Sequence, residues 1–225
     1  MWAVDMHPPT EVETRSTDLV SRAKRIGTAT FSDVLDSLGV NGVMSGIVRR
    51  SGQGRVAGYA QTVDSRVGLL GAFDMQDFAV FPIFNSVGAN TVLVMNLGGA
   101  EVSTFGGLAA LTVSHRNAAG VVIDGACRDV EDLRATGLSV ASRHVTPRSG
   151  RGRMTIVSRG GPVVCGGVTV KHGDLIVIDD TGIAVIPFER LQDVVTQAET
   201  IELHDDAKAA AVRSQGQSDQ ASETR

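Results

Sequence analysis

Cysteine is scarce in this chain of 225 residues, which contains only Cys127 and Cys165. Neither lies near another cysteine or a histidine at the spacing of a zinc-ligand motif, and two cysteines can form one disulfide at most. A disulfide framework and a structural zinc site are therefore excluded as the basis of the fold. We expect both thiols to be reduced and to lie in the core.

Strong charge of one sign and long apolar runs are missing as well. The formal net charge is −4, and lysine and arginine are scattered along the chain, so the sequence shows no basic patch for nucleic acid. No 18 consecutive residues are apolar, and the first ten residues lack the apolar run of a signal peptide. We therefore expect a cytoplasmic protein that binds neither nucleic acid nor membrane.

Apolar residues make up 42% of the chain, which is enough to bury the core of one domain. We predict a flexible N-terminal arm over 1–16, a single α/β domain over 17–204 and a tail over 205–225. The tail is expected to be disordered because Val212 is its only large aliphatic residue. Continuation of the last helix through the alanine-rich segment 207–211 is the alternative.

Helical and strand patterns alternate through most of the chain. Apolar spacing predicts helices at 17–26, 32–38, 105–118, 129–136 and 188–203. Apolar runs predict buried strands at 91–95, 120–124 and 138–141. Five short strands separated by glycine follow between residues 155 and 187, and they predict a meander or barrel-like layer.

The most informative stretch is 120–129, with the sequence GVVIDGACRD. A predicted buried strand leads into Asp124-Gly125, and Arg128 and Asp129 follow at the start of a predicted helix. The pattern brings a carboxylate and a guanidinium to one point, as a site for a cation or an anion requires. Taken alone, such a pair is more often a solvated surface pair, with Asp129 favoured by the helix dipole.

Several segments, taken together and in order, resemble one family. They are 32–39 (SDVLDSLG), 120–129, 137–140, 146–147, 166–175 and 179–187. They are similar to the 4-hydroxy-4-methyl-2-oxoglutarate aldolases and the regulator of ribonuclease E activity A, over roughly residues 25–204. The resemblance implies an α/β fold with a central β layer and flanking helices, like the swivelling phosphohistidine domain. It also implies a homotrimer or homohexamer with sites between subunits.

The same resemblance implies a metal-dependent lyase similar to the class II pyruvate aldolases. Such enzymes hold Mg²⁺ or Mn²⁺ and cleave 4-hydroxy-2-oxo acids or decarboxylate oxaloacetate. By this resemblance Asp129 would bind the cation, and Arg128 would contact the 2-oxo group of the substrate. Backbone N–H groups of Gly106, Gly107 and Leu108 would bind the pyruvyl carboxylate. A cation and a guanidinium suit this chemistry because both stabilise the negative charge of a pyruvate enolate.

One position departs from the family pattern. The family's aldolases carry an acidic residue, which serves as a base, twenty-one positions before the arginine, and here that position is Gly107. Retro-aldol cleavage needs a base for the 4-hydroxyl proton, which contributes about a hundredfold to ten-thousandfold, whereas loss of carbon dioxide does not. The sequence therefore predicts that decarboxylation is favoured over aldol cleavage. Glu101 in the same loop is a candidate catalytic replacement, with a solvated loop carboxylate as the alternative.

Other charged residues leave further hypotheses open. Arg148, Arg151 and Arg153 lie in one loop, where they are either solvated or bind a second carboxylate or a phosphate. Glu199 and Glu202 are candidates for ordering the cation's water shell in a neighbouring subunit. Because the acid at position 107 is absent, a non-catalytic regulator-like protein and a different enolate-type reaction also remain as alternatives.

Overall fold

The computed structural model describes residues 16–223, with side chains described through residue 213. The N-terminal arm predicted for 1–16 lies outside this range except for Ser16. The Ser16 hydroxyl caps the first helix by accepting a hydrogen bond from the Leu19 N–H at 3.4 Å. Within the described residues, no helix combines the length and the apolar character that crossing a bilayer requires.

Helices and strands alternate along the chain. The N-terminal half contains α1 (Thr17–Ala23), α2 (Thr28–Ser37), β1 (Val48–Ser51), β2 (Val56–Val67), α3 (Phe81–Ser86), β3 (Thr91–Asn96), β4 (Ser103–Phe105) and α4 (Gly107–His115). Next come β5 (Gly120–Cys127), α5 (Val130–Thr136), β6 (Ser139–Val145) and β7 (Met154–Arg159). The last elements are β8 (Val163–Cys165), β9 (Val168–Val170), β10 (Leu175–Ile178), β11 (Ile183–Ile186) and α6 (Leu191–Glu223).

Nine strands form one mixed sheet with the order β1-β6-β5-β3-β2-β10-β11, in which β4 also pairs with β5 and β7 with β2. Strands β2, β3, β5 and β6 are parallel to one another. Strand β1 is antiparallel to β6, β10 is antiparallel to β2, and β11 is antiparallel to β10. The α/β fold with a central β layer and flanking helices is therefore confirmed. The five short strands that were predicted between residues 155 and 187, as in a meander or barrel-like layer, are divided: β7, β10 and β11 join the main sheet, and β8 and β9 form a hairpin.

The side chains of β5 show how both faces of the sheet are covered. Val121 and Ile123 pack on one side with apolar residues of α3, α4 and α5. Val122 packs on the other side with residues of the β8–β9 hairpin. Cys165 in that hairpin is buried, as predicted, and burial, followed by the nearby Asp124 charge, raises the pKa of its thiol to about 12. A third cluster joins α1, α2 and α6 to the edge of the sheet formed by β2, β10 and β11.

Asp179 fixes the start of α2 from a distant part of the chain. Its carboxylate accepts hydrogen bonds from the Thr28 N–H at 2.8 Å and the Thr28 hydroxyl at 2.7 Å. It also accepts from the N–H groups of Thr181 at 2.8 Å and Gly182 at 3.1 Å. The helix therefore begins at Thr28 and not at residue 32 as predicted. Local sequence could not show this start, because the carboxylate that binds it lies 151 residues away.

Replacing Asp179 with alanine should lower the free energy of unfolding by about 2 kcal/mol, because four donors lose a charged acceptor. Burial raises the pKa of the Asp179 carboxyl, but the hydrogen bonds together outweigh burial and the net pKa is lowered. A carboxyl whose pKa is depressed by folding stabilises the folded state at pH values above its ordinary pKa. This contribution is lost as the pH falls through the pKa that the carboxyl has in the folded state. In urea titrations, the difference in the free energy of unfolding between variant and wild type should therefore shrink below about pH 4.

Asp36→Ala, in the same helix, is the matched control for this prediction. Asp36 is exposed near the end of α2. Replacing an exposed side chain away from such contacts changes stability little. Equal destabilisation by the two alanine variants at neutral pH would contradict the role assigned to Asp179.

Candidate active site

The ends of two parallel strands converge on one edge of the sheet. Strand β4 pairs in parallel with β5, with Phe105 level with Cys127. The Arg128 N–H continues this contact by donating to the Phe105 carbonyl at 2.9 Å. Because ligands of α/β proteins bind beyond the carboxyl ends of parallel strands, a site is expected at this edge.

Strand β5 continues past its Asp124-Gly125 step. The strand was expected to end at Asp124 but continues to Cys127, with an irregularity in its pairing between Ile123 and Ala126. Asp124 is buried and structural. Its carboxylate accepts from the Arg143 Nε at 2.5 Å and from the Gly166 N–H at 2.8 Å, which ties β5 to β6 and to the β8–β9 hairpin.

Asp129 has a left-handed backbone, with φ 55° and ψ 48°, directly before α5. Residues with a side chain rarely adopt this conformation, aspartate being one of the more tolerant, and strain of this kind is concentrated at functional sites. The Asp129 Oδ2 accepts from the Gly107 N–H at 3.1 Å and lies 3.5 Å from the Arg128 Nε. Both charged side chains are about half exposed. The strained backbone thus holds an accessible carboxylate and guanidinium side by side.

Gly106 makes this close approach possible. A Cβ at this position would lie 2.5 Å from the Asp129 Oδ2 and 3.0 Å from the Arg128 Cγ, so a side chain would displace the pair. Of the three backbone groups predicted to bind a carboxylate, that of Gly107 is occupied by Asp129. The next N–H groups of the first turn of α4, those of Leu108 and Ala109, have no acceptor within the helix.

A cleft of about 150 Å³ adjoins this pair and has two kinds of wall. The polar part includes Arg128, Asp129 and Arg151. The apolar part consists largely of phenylalanine side chains from α3 and the segment before it. Besides Arg128, Asp129 and Arg151, the cleft is lined by Phe78, Val80, Phe81, Phe84, Ser103, Thr104, Gly106, Leu108 and Ala109. The aromatic wall is not predictable from the sequence, because residues 68–90 show no clear helical or strand period.

The arginine-rich loop reaches the cleft because it is bonded to β4. The Ser103 N–H donates to the Arg148 carbonyl at 2.9 Å, and the Gly150 N–H donates to the Ser103 carbonyl at 2.8 Å. This attachment places Arg151 in the cleft lining, whereas Arg148 and Arg153 are not part of it. Glu101 is exposed at the opposite end of β4 and does not line the cleft. The structure therefore brings Arg151 to the pair and leaves Glu101 apart from it.

The two glutamates of α6 form ion pairs within the chain. Glu199 forms an ion pair with Arg22 at 2.7 Å, and the hydrogen bond from Arg22 lowers the pKa of the Glu199 carboxyl. Glu202 forms an ion pair with Arg55 at 2.9 Å and accepts from the Thr30 hydroxyl at 2.6 Å. Both carboxylates thus tie α6 to the N-terminal part of the domain.

The donor set at the cleft limits the way in which a metal ion could be held. Among residues 16–223, no three His, Cys, Asp or Glu side chains come together as a ligand group. The two contacts of Asp129 both use Oδ2 and leave Oδ1 for another partner. Magnesium is commonly held by one or two carboxylates and completed by water and substrate oxygens. Asp129 fits an ion bound in this way, but the site is not an all-protein cage.

Comparison with known proteins agrees with this architecture. The RraA-like family (Aldolase/RraA) matches residues 28–185. The chain is 30% identical over 207 residues to protein DlpA of Legionella pneumophila, an alignment that covers 92% of this chain but only 33% of DlpA. It is 28% identical over 200 residues to a Halalkalibacterium halodurans protein provisionally named 4-hydroxy-4-methyl-2-oxoglutarate aldolase, covering 87% of this chain and 89% of that protein.

A solved structure is similar over almost the same extent. It is that of Streptomyces coelicolor RraAS2, described as an unusual member of the RNase ES inhibitor RraA protein family. The TM-score is 0.77 at 26% identity, and the superposition covers 87% of this chain and 97% of that one. The family match, the sheet topology and the order of the motifs lead to one conclusion: this chain belongs to the RraA-like family, which includes aldolases.

Proposed function

We propose that this protein is a divalent-metal-dependent carbon–carbon lyase that acts on a small 2-oxo acid through a pyruvate-type enolate. The main support is the accessible Arg128–Asp129 pair, which the left-handed backbone of Asp129 holds against the start of α4 at the mouth of the cleft. A guanidinium and a carboxylate that contact each other while staying half exposed are available to a ligand.

Each group has a separate task in this proposal. The Arg128 guanidinium binds the 2-oxo oxygen, where negative charge increases as the enolate forms. The N–H groups of Leu108 and Ala109 bind the neighbouring carboxylate at the start of α4. Asp129 is the residue that would hold Mg²⁺ or Mn²⁺, and such an ion, when bound, supplies Lewis-acid stabilisation of the oxo group.

Oxaloacetate is the substrate that needs the fewest protein groups. Loss of carbon dioxide leaves the electron pair of the broken bond on C3 and requires no base to remove a hydroxyl proton. Arg128 and Asp129 are therefore sufficient for decarboxylation. Aldol cleavage needs a further proton acceptor, which Gly107 cannot provide. On these groups alone, decarboxylation is the favoured reaction.

The proposal is tested by measuring pyruvate release from oxaloacetate and from 4-hydroxy-4-methyl-2-oxoglutarate, each with Mg²⁺ and with EDTA. Metal-dependent release from oxaloacetate is expected. Release from neither substrate would contradict the lyase proposal. It would favour the second candidate, a non-catalytic regulator-like protein, which is supported by the glycine at position 107 and by the similarity to Streptomyces RraAS2.

Arg151 should recognise a second carboxylate of the ligand, because its guanidinium shares the cleft with that of Arg128. In Arg151→Ala, inhibition by 2-oxoglutarate should weaken by about tenfold, the loss expected for one charge-assisted hydrogen bond. Inhibition by pyruvate, which has one carboxylate, should stay unchanged. Arg148→Ala is the matched control from the same loop. Equal weakening for both inhibitors, or the same effect in the control, would contradict the assignment.

We also propose that the protein is a homotrimer or homohexamer with sites between subunits. Leu108 and Leu111 on α4 are exposed beside the cleft, at 65% and 47%, and an apolar surface next to a site suits a subunit contact. Light scattering of the purified protein tests the assembly, and a monomer at working concentrations would contradict it.

A further inference from the structure

Asp132 occupies the space that a side chain at position 107 would fill. A Cβ built on Gly107 would lie 2.6 Å from the Asp132 Oδ2 and 2.8 Å from the Asp132 Cβ. Real Cβ atoms do not approach other atoms so closely, and even the shortest acidic side chain at 107 would meet the Asp132 carboxylate. The sequence motif has no acid at position 107, but the fold supplies one from α5.

The carboxylates of Asp129 and Asp132 therefore flank a single residue. Asp129 accepts from the Gly107 N–H at 3.1 Å, and Asp132 lies on the side of Gly107 to which a side chain would point. Both belong to the start of α5, with Asp129 before its first residue and Asp132 in its first turn. Asp132 is exposed beside Gly107, just outside the residues that line the cleft.

On the basis of the proposed function, we propose that Asp132 is the proton acceptor that allows this site to cleave 4-hydroxy-2-oxo acids. The Asp132 carboxylate takes the proton of the 4-hydroxyl, and the oxygen electron pair forms the new carbonyl bond at C4. The C3–C4 bond breaks, and its electron pair moves to C3 as the enolate of pyruvate. The proton then returns to C3, which releases pyruvate and a carbonyl product and restores the carboxylate.

Two other carboxylates are less suitable for this step. Glu101 lies before β4, at the end of that strand opposite to Gly106, whereas Asp132 lies beside Gly107, the next residue. Glu131 adjoins Asp132 in sequence and is equally exposed, but it is not among the nearest atoms to the space beside Gly107. These two residues provide the matched controls.

The first test compares Asp132→Asn with Glu131→Gln and Glu101→Gln in two reactions. Asp132→Asn should reduce kcat for cleavage of 4-hydroxy-4-methyl-2-oxoglutarate by about a hundredfold, the effect of losing a positioned base. Its decarboxylation of oxaloacetate should stay at the wild-type level. The affinity for oxalate in the presence of Mg²⁺, measured by calorimetry, should also be unchanged, which shows that the site is intact. The two glutamine variants should retain both reactions.

The second test moves the carboxylate from position 132 to position 107. Gly107→Asp alone should impair the site, because the new side chain meets Asp132, whereas Gly107→Asp combined with Asp132→Gly, which also removes the Asp132 Cβ, should regain the cleavage that Asp132→Gly loses. Equal loss of both reactions in Asp132→Asn, or loss of cleavage in Glu101→Gln instead, would overturn the role of Asp132. Wild-type protein that decarboxylates oxaloacetate but cleaves no 4-hydroxy-2-oxo acid would overturn this inference alone. Inactivity in both reactions would overturn the proposed function as well.

Discussion

Arg128→Ala should lower kcat/KM for oxaloacetate by about a thousandfold to ten-thousandfold. Removing one donor from a developing oxyanion costs about a hundredfold to a thousandfold in kcat, and loss of a charge-assisted contact weakens substrate binding in addition. Arg128→Lys should recover little of this loss, because a lysine ammonium does not reproduce the planar fork of a guanidinium. Steady-state kinetics with saturating Mg²⁺ provide the measurement.

Arg148→Ala serves as the control for this change. It removes the same charge from a loop that is bonded to β4, but Arg148 does not line the cleft. Its kcat/KM should stay close to that of wild type. A small effect of Arg128→Ala, comparable to that of the control, would mean that the guanidinium contacts no part of the reacting substrate.

Asp129→Asn should abolish the dependence on divalent metal and reduce kcat/KM by about a thousandfold, since a bound cation supplies several kcal/mol of charge stabilisation. Asparagine is the suitable replacement because it also tolerates the left-handed backbone, and its side-chain oxygen can accept from the Gly107 N–H. The site geometry should therefore be preserved while the negative charge is lost. Binding of Mn²⁺, followed by electron paramagnetic resonance, gives a readout that is independent of turnover.

Glu131→Gln is the control for Asp129→Asn, because it removes one negative charge two residues away at the same helix start. It should bind Mn²⁺ like wild type. Wild-type Mn²⁺ affinity in Asp129→Asn would show that the ion, if it binds, is held elsewhere.

Features that depend on local periodicity could be predicted from the sequence. The helix predicted at 129–136 corresponds to α5, and the strand predicted at 91–95 corresponds to β3, because their apolar spacing reflects burial against the sheet. The Arg128–Asp129 pair was also found, since a buried strand that leads into two opposite charges is visible in the sequence. These signals extend over only a few residues.

Features that depend on contacts between distant segments could not be predicted. The Asp179 cap of α2 and the Asp124–Arg143 ion pair each join separate elements. The left-handed backbone of Asp129 is likewise a feature that no pattern of residue types records. Asp132 was overlooked for the same reason, because its significance comes from its contact with Gly107.

The most direct test of the central claim is a crystal structure of the protein with Mg²⁺ and oxalate, a stable mimic of the pyruvate enolate. The account predicts an ion beside the Asp129 carboxylate, with oxalate oxygens completing its coordination and the Arg128 guanidinium in contact with the oxalate. A structure in which both side chains point into solvent, with neither ion nor oxalate between them, would contradict the account.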